Sequence, residues 1–459
     1  MINKRLFNLS TIYSNSSTFS LNNLQNYLPR LDSNSKSKSS KKSQIEKSNV
    51  LKSTTTTVED VLSTPSAPTT KSKIKTSKKN LKQSTKSLYK RSTHPTSVPL
   101  SKIFNNNFPL SISESIEHYK LRNNPLYFQN ELLSTLPFFP NIDKLGRTSK
   151  ILKIPIDNNG NYINEFVIYP PGKSEIDSPN LKHLLMIHGY GAGLGFFLKN
   201  FNKLSTRNDW CIHAIDLFGY GSSSRPHFYP TTLGEVEDWF FNSYDSWFKQ
   251  RNIPKSNLLI MAHSMGAYLM ALYGIKRDPF FCNKILMVSP GAILKHRKQI
   301  PIPGYFKKLW ERNISPFSLV RKSGILGSKL VSGWSFRRFA KLSDLEKNLL
   351  HKYSYGIFSS NGSGEYMLNF LLAPGANARY PLIESGVHKL NCKISWWYGD
   401  GDWMDKKGGE LCSNIINNLG KVKKSDVKII KNSGHHIYLD NINEFNKEVL
   451  KEMDNFKIE

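Results

Sequence analysis

At 459 residues the chain is long enough for one large α/β domain of about 300 residues with additions, or for two ordinary domains. Its formal charge is +29, and residues 1–100 hold 18 Lys/Arg against four acids, so about half of the excess lies in the first fifth. Four widely spaced cysteines without a Cys-x-x-Cys fit buried or reduced thiols better than a disulfide framework or a zinc site. No run of about 18 apolar residues is present to form a membrane-spanning helix.

The opening stretch carries Lys4 and Arg5 among apolar residues, and no acid precedes Asp32. A positive, hydroxyl-rich, acid-poor start is the profile of a mitochondrial transit peptide; the alternative is a basic tail with no targeting role. Residues 33–97 are Ser/Lys/Thr-rich and hold too little apolar surface to fold. No aromatic residue is interleaved there until Tyr89, so nothing offers a stacking platform for nucleic acid. Residues 1–110 therefore read as presequence plus linker, and 111–459 as the folded domain.

Ile112, Ile116 and Tyr119 fall at helical spacing from Ser111, and Pro125 interrupts that pattern before a second short helix over Leu126–Leu133. Strand-like runs follow at Ile151–Ile156, Phe166–Tyr169, Leu184–Ile187, Cys211–Ile215, Leu258–Met261, Ile285–Val288, Ile394–Trp397 and Val427–Ile430. Helix-length stretches such as Thr232–Arg251 and Ala267–Lys276 separate several of them. This alternation predicts an α/β fold with a mostly parallel sheet and helices on both faces. Ligands of such sheets sit beyond the carboxyl ends of the strands. Residues 290–390 break the alternation with a basic, aromatic-rich insertion that reads as a lid.

The most informative local stretch is Ala262-His263-Ser264-Met265-Gly266, directly after the strand-like Leu258–Met261. A strand that turns sharply into a helix lifts one serine into an exposed position, as nucleophilic catalysis requires. Ala262 stands where the usual elbow has its first glycine, a mild departure because both flanks must be small. A serine at this position, in place of an aspartate, excludes epoxide and halide chemistry.

A triad of this architecture runs serine, acid, histidine along the chain, with acid and base on loops after late strands. Asp400, Asp402 and Asp405 follow Ile394–Trp397, and His435-His436 follows Val427–Ile430. His435, next to Gly434, is the expected base and Asp402 the expected acid, with Asp405 its rival and Asp400 third. The oxyanion hole needs two convergent amides. Met265 supplies one, and the glycine-rich loop His188-Gly-Tyr-Gly-Ala-Gly193 the other, assigned to Tyr190 with Gly189 as alternative. That loop lacks the Gly-Lys-Ser/Thr of a phosphate-binding loop. No cofactor and no metal are expected.

His188–Gly195, Asp216-Leu-Phe-Gly-Tyr-Gly-Ser-Ser-Ser-Arg-Pro226, the Ser264 elbow and His435-x4-Asp440 together resemble one branch of the α/β-hydrolases. That branch holds phospholipases and lysophosphatidic acid acyltransferases, and includes a mitochondrial cardiolipin-specific deacylase. The resemblance runs from about Ser111 to the C-terminus and implies a lipid acyl ester as substrate, with Ser264 as nucleophile, His435 as base and Asp402 as acid. The His435-x4-Asp440 motif is associated with acyl transfer in that branch. Physically, Asp440 or Asn441 reads as an N-cap for a helix over Ile442–Met453.

From Pro290 to Lys341 the insertion has 12 Lys/Arg against the single acid Glu311, interleaved with Ile302, Tyr305, Phe306, Leu309, Trp310, Phe317 and Trp334. Cations among apolar side chains suit an anionic bilayer surface; the alternative is a solvated lid with its aromatics packed inward. The expectation is a serine lipid hydrolase acting on an anionic phospholipid such as cardiolipin, in peripheral contact with the mitochondrial inner membrane. Two alternatives stay open: acyl transfer from acyl-CoA to a lysophospholipid, and a non-catalytic membrane adaptor.

Overall fold

A computed structural model describes residues 109–176, 180–295, 304–421 and 424–458. The expected presequence and linker lie outside the described residues but for 109 and 110.

Eight strands form one sheet: β1 (Thr148–Pro155), β2 (Tyr162–Tyr169), β3 (Lys182–Ile187), β4 (Trp210–Ile215), β5 (Leu258–His263), β6 (Lys284–Val288), β9 (Lys393–Gly399) and β10 (Ser425–Ile430). A two-stranded hairpin of β7 (Leu372–Ala373) and β8 (Asn377–Ala378) lies within the insertion. The order in the sheet is β1-β2-β4-β3-β5-β6-β9-β10. Within this sheet only the pairings of β2 with β1 and β4 are antiparallel; β4, β3, β5, β6, β9 and β10 run parallel. All eight expected strands are present, most extended by one to four residues, while β1 ends at Pro155, one residue before the expected Ile156.

The period-two rule assigns the two faces. Leu185, Ile187, Ile260, Ala262, Ile285 and Met287 join one core with the helices Leu233–Arg251, Met265–Lys276 and Lys406–Leu419. Leu184, Met186, Leu259, Met261, Leu286 and Val288 join the other with Leu198–Leu204 and Ile442–Asp454. Strands that are apolar on both faces must be covered on both, which is why the alternation in sequence gave helices on two sides.

The N-terminal helix Ile112–Leu121 begins at a Ser111–Glu114 capping box, and Pro125 opens the next helix, Pro125–Leu133, because proline at the first position loses no helical bond. Between β6 and β9 the insertion contains the helices Gly304–Glu311, Phe317–Lys322, Gly327–Arg338 and Asp344–Ser359. Phe317 stacks on Tyr190 of the glycine-rich loop, with ring centroids 5.7 Å apart, and on Phe358 at 4.7 Å. Trp334 packs against Phe196 and Phe339. The inner aromatics of the insertion thus seat it over the strand ends.

Candidate active site

Strand β5 ends at His263, and Ser264 takes φ 53°, ψ −115° before the helix Met265–Lys276 begins. A non-glycine residue at positive φ costs about 1–3 kcal/mol and persists only where its surroundings hold it. Here the Ser264 N–H donates to the Val288 carbonyl at 2.9 Å, and the Ser264 carbonyl accepts from Gly291 at 3.2 Å. A Cβ on Gly266 would collide with the His188 carbonyl, so a glycine is required after the elbow. Ala262 is fully buried in the sheet between β3 and β6.

Ser264 Oγ lies 3.0 Å from His435 Nε2, and His435 Nδ1 lies 3.2 Å from Asp402 Oδ1. Asp402 is 1% exposed, and its Oδ1 also accepts the Met404 N–H at 3.0 Å. Asp405 is used elsewhere: it caps the helix Lys406–Leu419 by accepting the Lys407 N–H at 3.0 Å. Asp400 accepts the Ser433 N–H at 3.1 Å and so joins the acid loop to the base loop. His436 makes no bond to this chain of three; its ring lies beside Phe196 and His263, and burial holds its pKa well below the ordinary value. The His435 carbonyl instead accepts from His263 Nε2 at 3.0 Å.

Gly189 packs so closely on the elbow that a Cβ there would lie 2.9 Å from Ser264 Cβ. Tyr190 is the next residue after this glycine in the loop that abuts the nucleophile. Met265 is the first residue of its helix, so its N–H has no carbonyl one turn back to bond. His188 fixes the start of the loop. Its Nε2 accepts the Leu217 N–H at 3.0 Å, which leaves Nδ1 to donate to the Gly189 carbonyl at 2.8 Å. Burial holds His188 below its ordinary pKa against the pull of Asp216. Asp216 ties three segments together, accepting from Leu194 N at 2.7 Å, Ser222 N at 2.7 Å and Asn164 Nδ2 at 2.8 Å.

A second polar cluster lies inside the sheet. His183, Cys211 and His213 bring candidate ligand atoms within 4.8 Å of one another, with His213 Nδ1 on Glu165 Oε1 at 2.7 Å. These are the described residues that could hold a metal. However, His183 Nδ1 and His213 Nε2 already share a 3.0 Å hydrogen bond that an ion would have to displace.

A family model described as the alpha/beta hydrolase fold matches residues 182–442, more than half of the chain. The chain is an α/β-hydrolase. It is 34% identical over 282 residues to a 1-acylglycerol-3-phosphate O-acyltransferase of Arabidopsis thaliana, covering 58% of this chain and 65% of that protein. It is 30% identical over 281 residues to a (lyso)-N-acylphosphatidylethanolamine lipase of Homo sapiens, covering 58% and 77%. A 1-acylglycerol-3-phosphate O-acyltransferase ABHD5 of Rattus norvegicus is 29% identical over 279 residues, covering 58% and 75%. The match spans just under two thirds of the plant protein.

Several residues that shape the site of this α/β-hydrolase were not assigned roles from sequence. Asp216 is the buried tie just described. Gly291 lies beside the nucleophile, where a Cβ would be 3.8 Å from Ser264 Oγ. The helix Ile442–Asp454 is capped by Asn441, which accepts the Glu444 N–H at 3.3 Å. Asp440, the other candidate cap, bonds instead to Gly434 and Arg338. Periodicity around residue 440 signals a helix start, but carries no trace of a partner 102 residues away.

Proposed function

We propose that this α/β-hydrolase is a serine lipid esterase that removes an acyl chain from an anionic phospholipid, with cardiolipin as the favoured substrate. The observation that carries the reading is the hydrogen-bonded series Ser264, His435, Asp402 at the carboxyl ends of the parallel strands. His435 Nε2 takes the Ser264 hydroxyl proton as Oγ attacks the ester carbonyl, and Asp402 stabilises the resulting imidazolium. The tetrahedral anion rests on the amides of Met265 and Tyr190. It collapses to an acyl-enzyme on Ser264 as His435 gives its proton to the departing lysolipid alkoxide. Water, deprotonated by His435, then releases the fatty acid.

A lipid substrate is supported by the relatives, two 1-acylglycerol-3-phosphate O-acyltransferases and a (lyso)-N-acylphosphatidylethanolamine lipase. Anionic preference is supported by the insertion, where Tyr305, Leu309, Ile314 and Leu319 are exposed beside exposed Lys307, Lys308 and Arg312. Apolar side chains enter the interface while each nearby cation contributes about 1 kcal/mol at an anionic surface. Peripheral contact fits a fold in which no described helix is long and apolar enough to cross a membrane. The acid-poor N-terminus supports a mitochondrial address, on the inner membrane where cardiolipin is the acidic lipid.

The O-acyltransferase names of two relatives favour a second reading, in which a lysophospholipid hydroxyl replaces water at the acyl-enzyme. A non-catalytic adaptor would have no use for the Ser264–His435 bond. The test is to incubate the purified full chain with vesicles of mixed cardiolipin, phosphatidylethanolamine and phosphatidylcholine and identify products by mass spectrometry. Monolysocardiolipin should dominate. Lysolipid-free products, or acylation of added labelled lysophosphatidate from acyl-CoA without any free fatty acid, would overturn the hydrolase reading.

A further inference from the structure

Both ring nitrogens of His435 are committed, Nε2 to Ser264 and Nδ1 to Asp402. Asp440 therefore cannot act on the imidazole, and Asn441 already caps the following helix. The Asp440 carboxylate is nonetheless used on both oxygens. Oδ2 accepts the Gly434 N–H at 2.9 Å, one residue before the base. Oδ1 accepts from Arg338 Nη1 at 2.7 Å, at the end of the lid helix Gly327–Arg338. Lys341 Nζ adds a 2.9 Å bond to the Asp440 carbonyl.

We propose that Asp440 is a positioning residue that latches the lid to the base loop. This role rests on the hydrolase reading above. The backbone around His435 is gripped on two sides: the Gly434 N–H by Asp440 and the His435 carbonyl by His263. A Cβ on Gly434 would lie 3.3 Å from Asp440 Oδ2, so a glycine lets the carboxylate come close. The lid end depends on the same carboxylate. Arg338 and Asp440 side chains are only 16% and 10% exposed, and Arg338 Nε and Nη2 are buried without a hydrogen-bond partner among the described residues. Removing Asp440 leaves a buried guanidinium uncompensated, which is strongly unfavourable. The lid end is expelled and the base loop loses its grip on the Gly434 N–H together. Seating of the lid and alignment of the base are thereby one event.

The latch is tested in the full chain with Asp440→Ala, Arg338→Gln, their double variant and Arg338→Lys, on a short soluble ester that needs no membrane. Misplacing the base by a fraction of an ångström should lower kcat by about 10–100-fold in either single variant, with KM within about twofold. The double variant should be no slower than the slower single variant, since both remove one coupled device. Arg338→Lys, which keeps the charge pair, should recover most of the lost kcat. Amide hydrogen exchange over residues 327–341 should rise in Asp440→Ala, also when Ser264→Ala is present. Single variants within about twofold of the parent in kcat, or losses that multiply in the double variant, would overturn the latch. Should Asp440→Ala not fold by circular dichroism, the contrast between Arg338→Gln and Arg338→Lys decides in the same way. The exchange readout does not need turnover. If Ser264→Ala kept full activity, the hydrolase reading would fail while exchange still reported whether Asp440 holds the lid.

Discussion

Asp402 and Asp405 lie on one loop, yet only Asp402 faces the base. The turn that decides between them is set by a distant segment: the Gly401 N–H donates to the Ser433 carbonyl at 2.9 Å, and a Cβ on Gly399 would collide with that same carbonyl. The order serine, acid, histidine and the positions at strand ends were legible from residue types alone. Asp402 is the expected acid with Asp405 its rival, but the contact that turns Asp402 inward, between loops more than 30 residues apart, carries no local signal. Asp402→Asn should lower kcat by up to about 10⁴-fold, since an amide neither stabilises the imidazolium nor fixes its tautomer. Asp405→Ala should leave kcat within a few-fold and cost about 0.5–2 kcal/mol of stability through the lost cap. Kinetics on a soluble ester with urea unfolding of both variants check this; an inactive Asp405→Ala beside an active Asp402→Asn would reverse the roles.

At the level of elements, the inner strands β3, β4, β5 and β6 could be read because each is a short, bounded apolar run buried on both faces, whereas the edge strands β1 and β10 keep exposed residues such as Lys150 and Asp426. The insertion gave itself away only as an interruption. Its helices mix apolar residues with many cations, and their packing partners lie far away in the chain, so local pattern does not reveal them. One such partnership is a buried relay: His118 Nδ1 bonds Ser328 Oγ at 2.7 Å, Ser328 Oγ bonds His351 Nε2 at 3.0 Å, and His351 Nδ1 bonds Ser335 Oγ at 2.7 Å. It ties the helix Ile112–Leu121 to Gly327–Arg338 and to Asp344–Ser359. Burial pushes the pKa of His118 down to about 4 and that of His351 to about 3, from an ordinary 6.5. The unfolded chain binds protons below about 6.5 that the folded chain refuses. This contribution to stability is therefore complete above that value and is lost progressively as pH falls toward 4. The melting temperature should drop across that window, and His351→Gln should flatten the slope; an unchanged slope would show that the relay does not titrate as described.

For the whole molecule, the charge falls into two parts. About half of the +29 precedes residue 101, and the remainder belongs to the folded chain, concentrated on the insertion over the strand ends. The proposed function uses this arrangement, because a basic, partly apolar insertion near Ser264 is the surface that would meet an anionic lipid. The central claim is that Ser264 carries the acyl group. The most direct measurement is fluorophosphonate labelling and cardiolipin deacylation by the full chain beside its Ser264→Ala variant, each shown to be folded. The parent should label on Ser264 and release fatty acid, and the variant should do neither. Undiminished deacylation by Ser264→Ala would contradict the account.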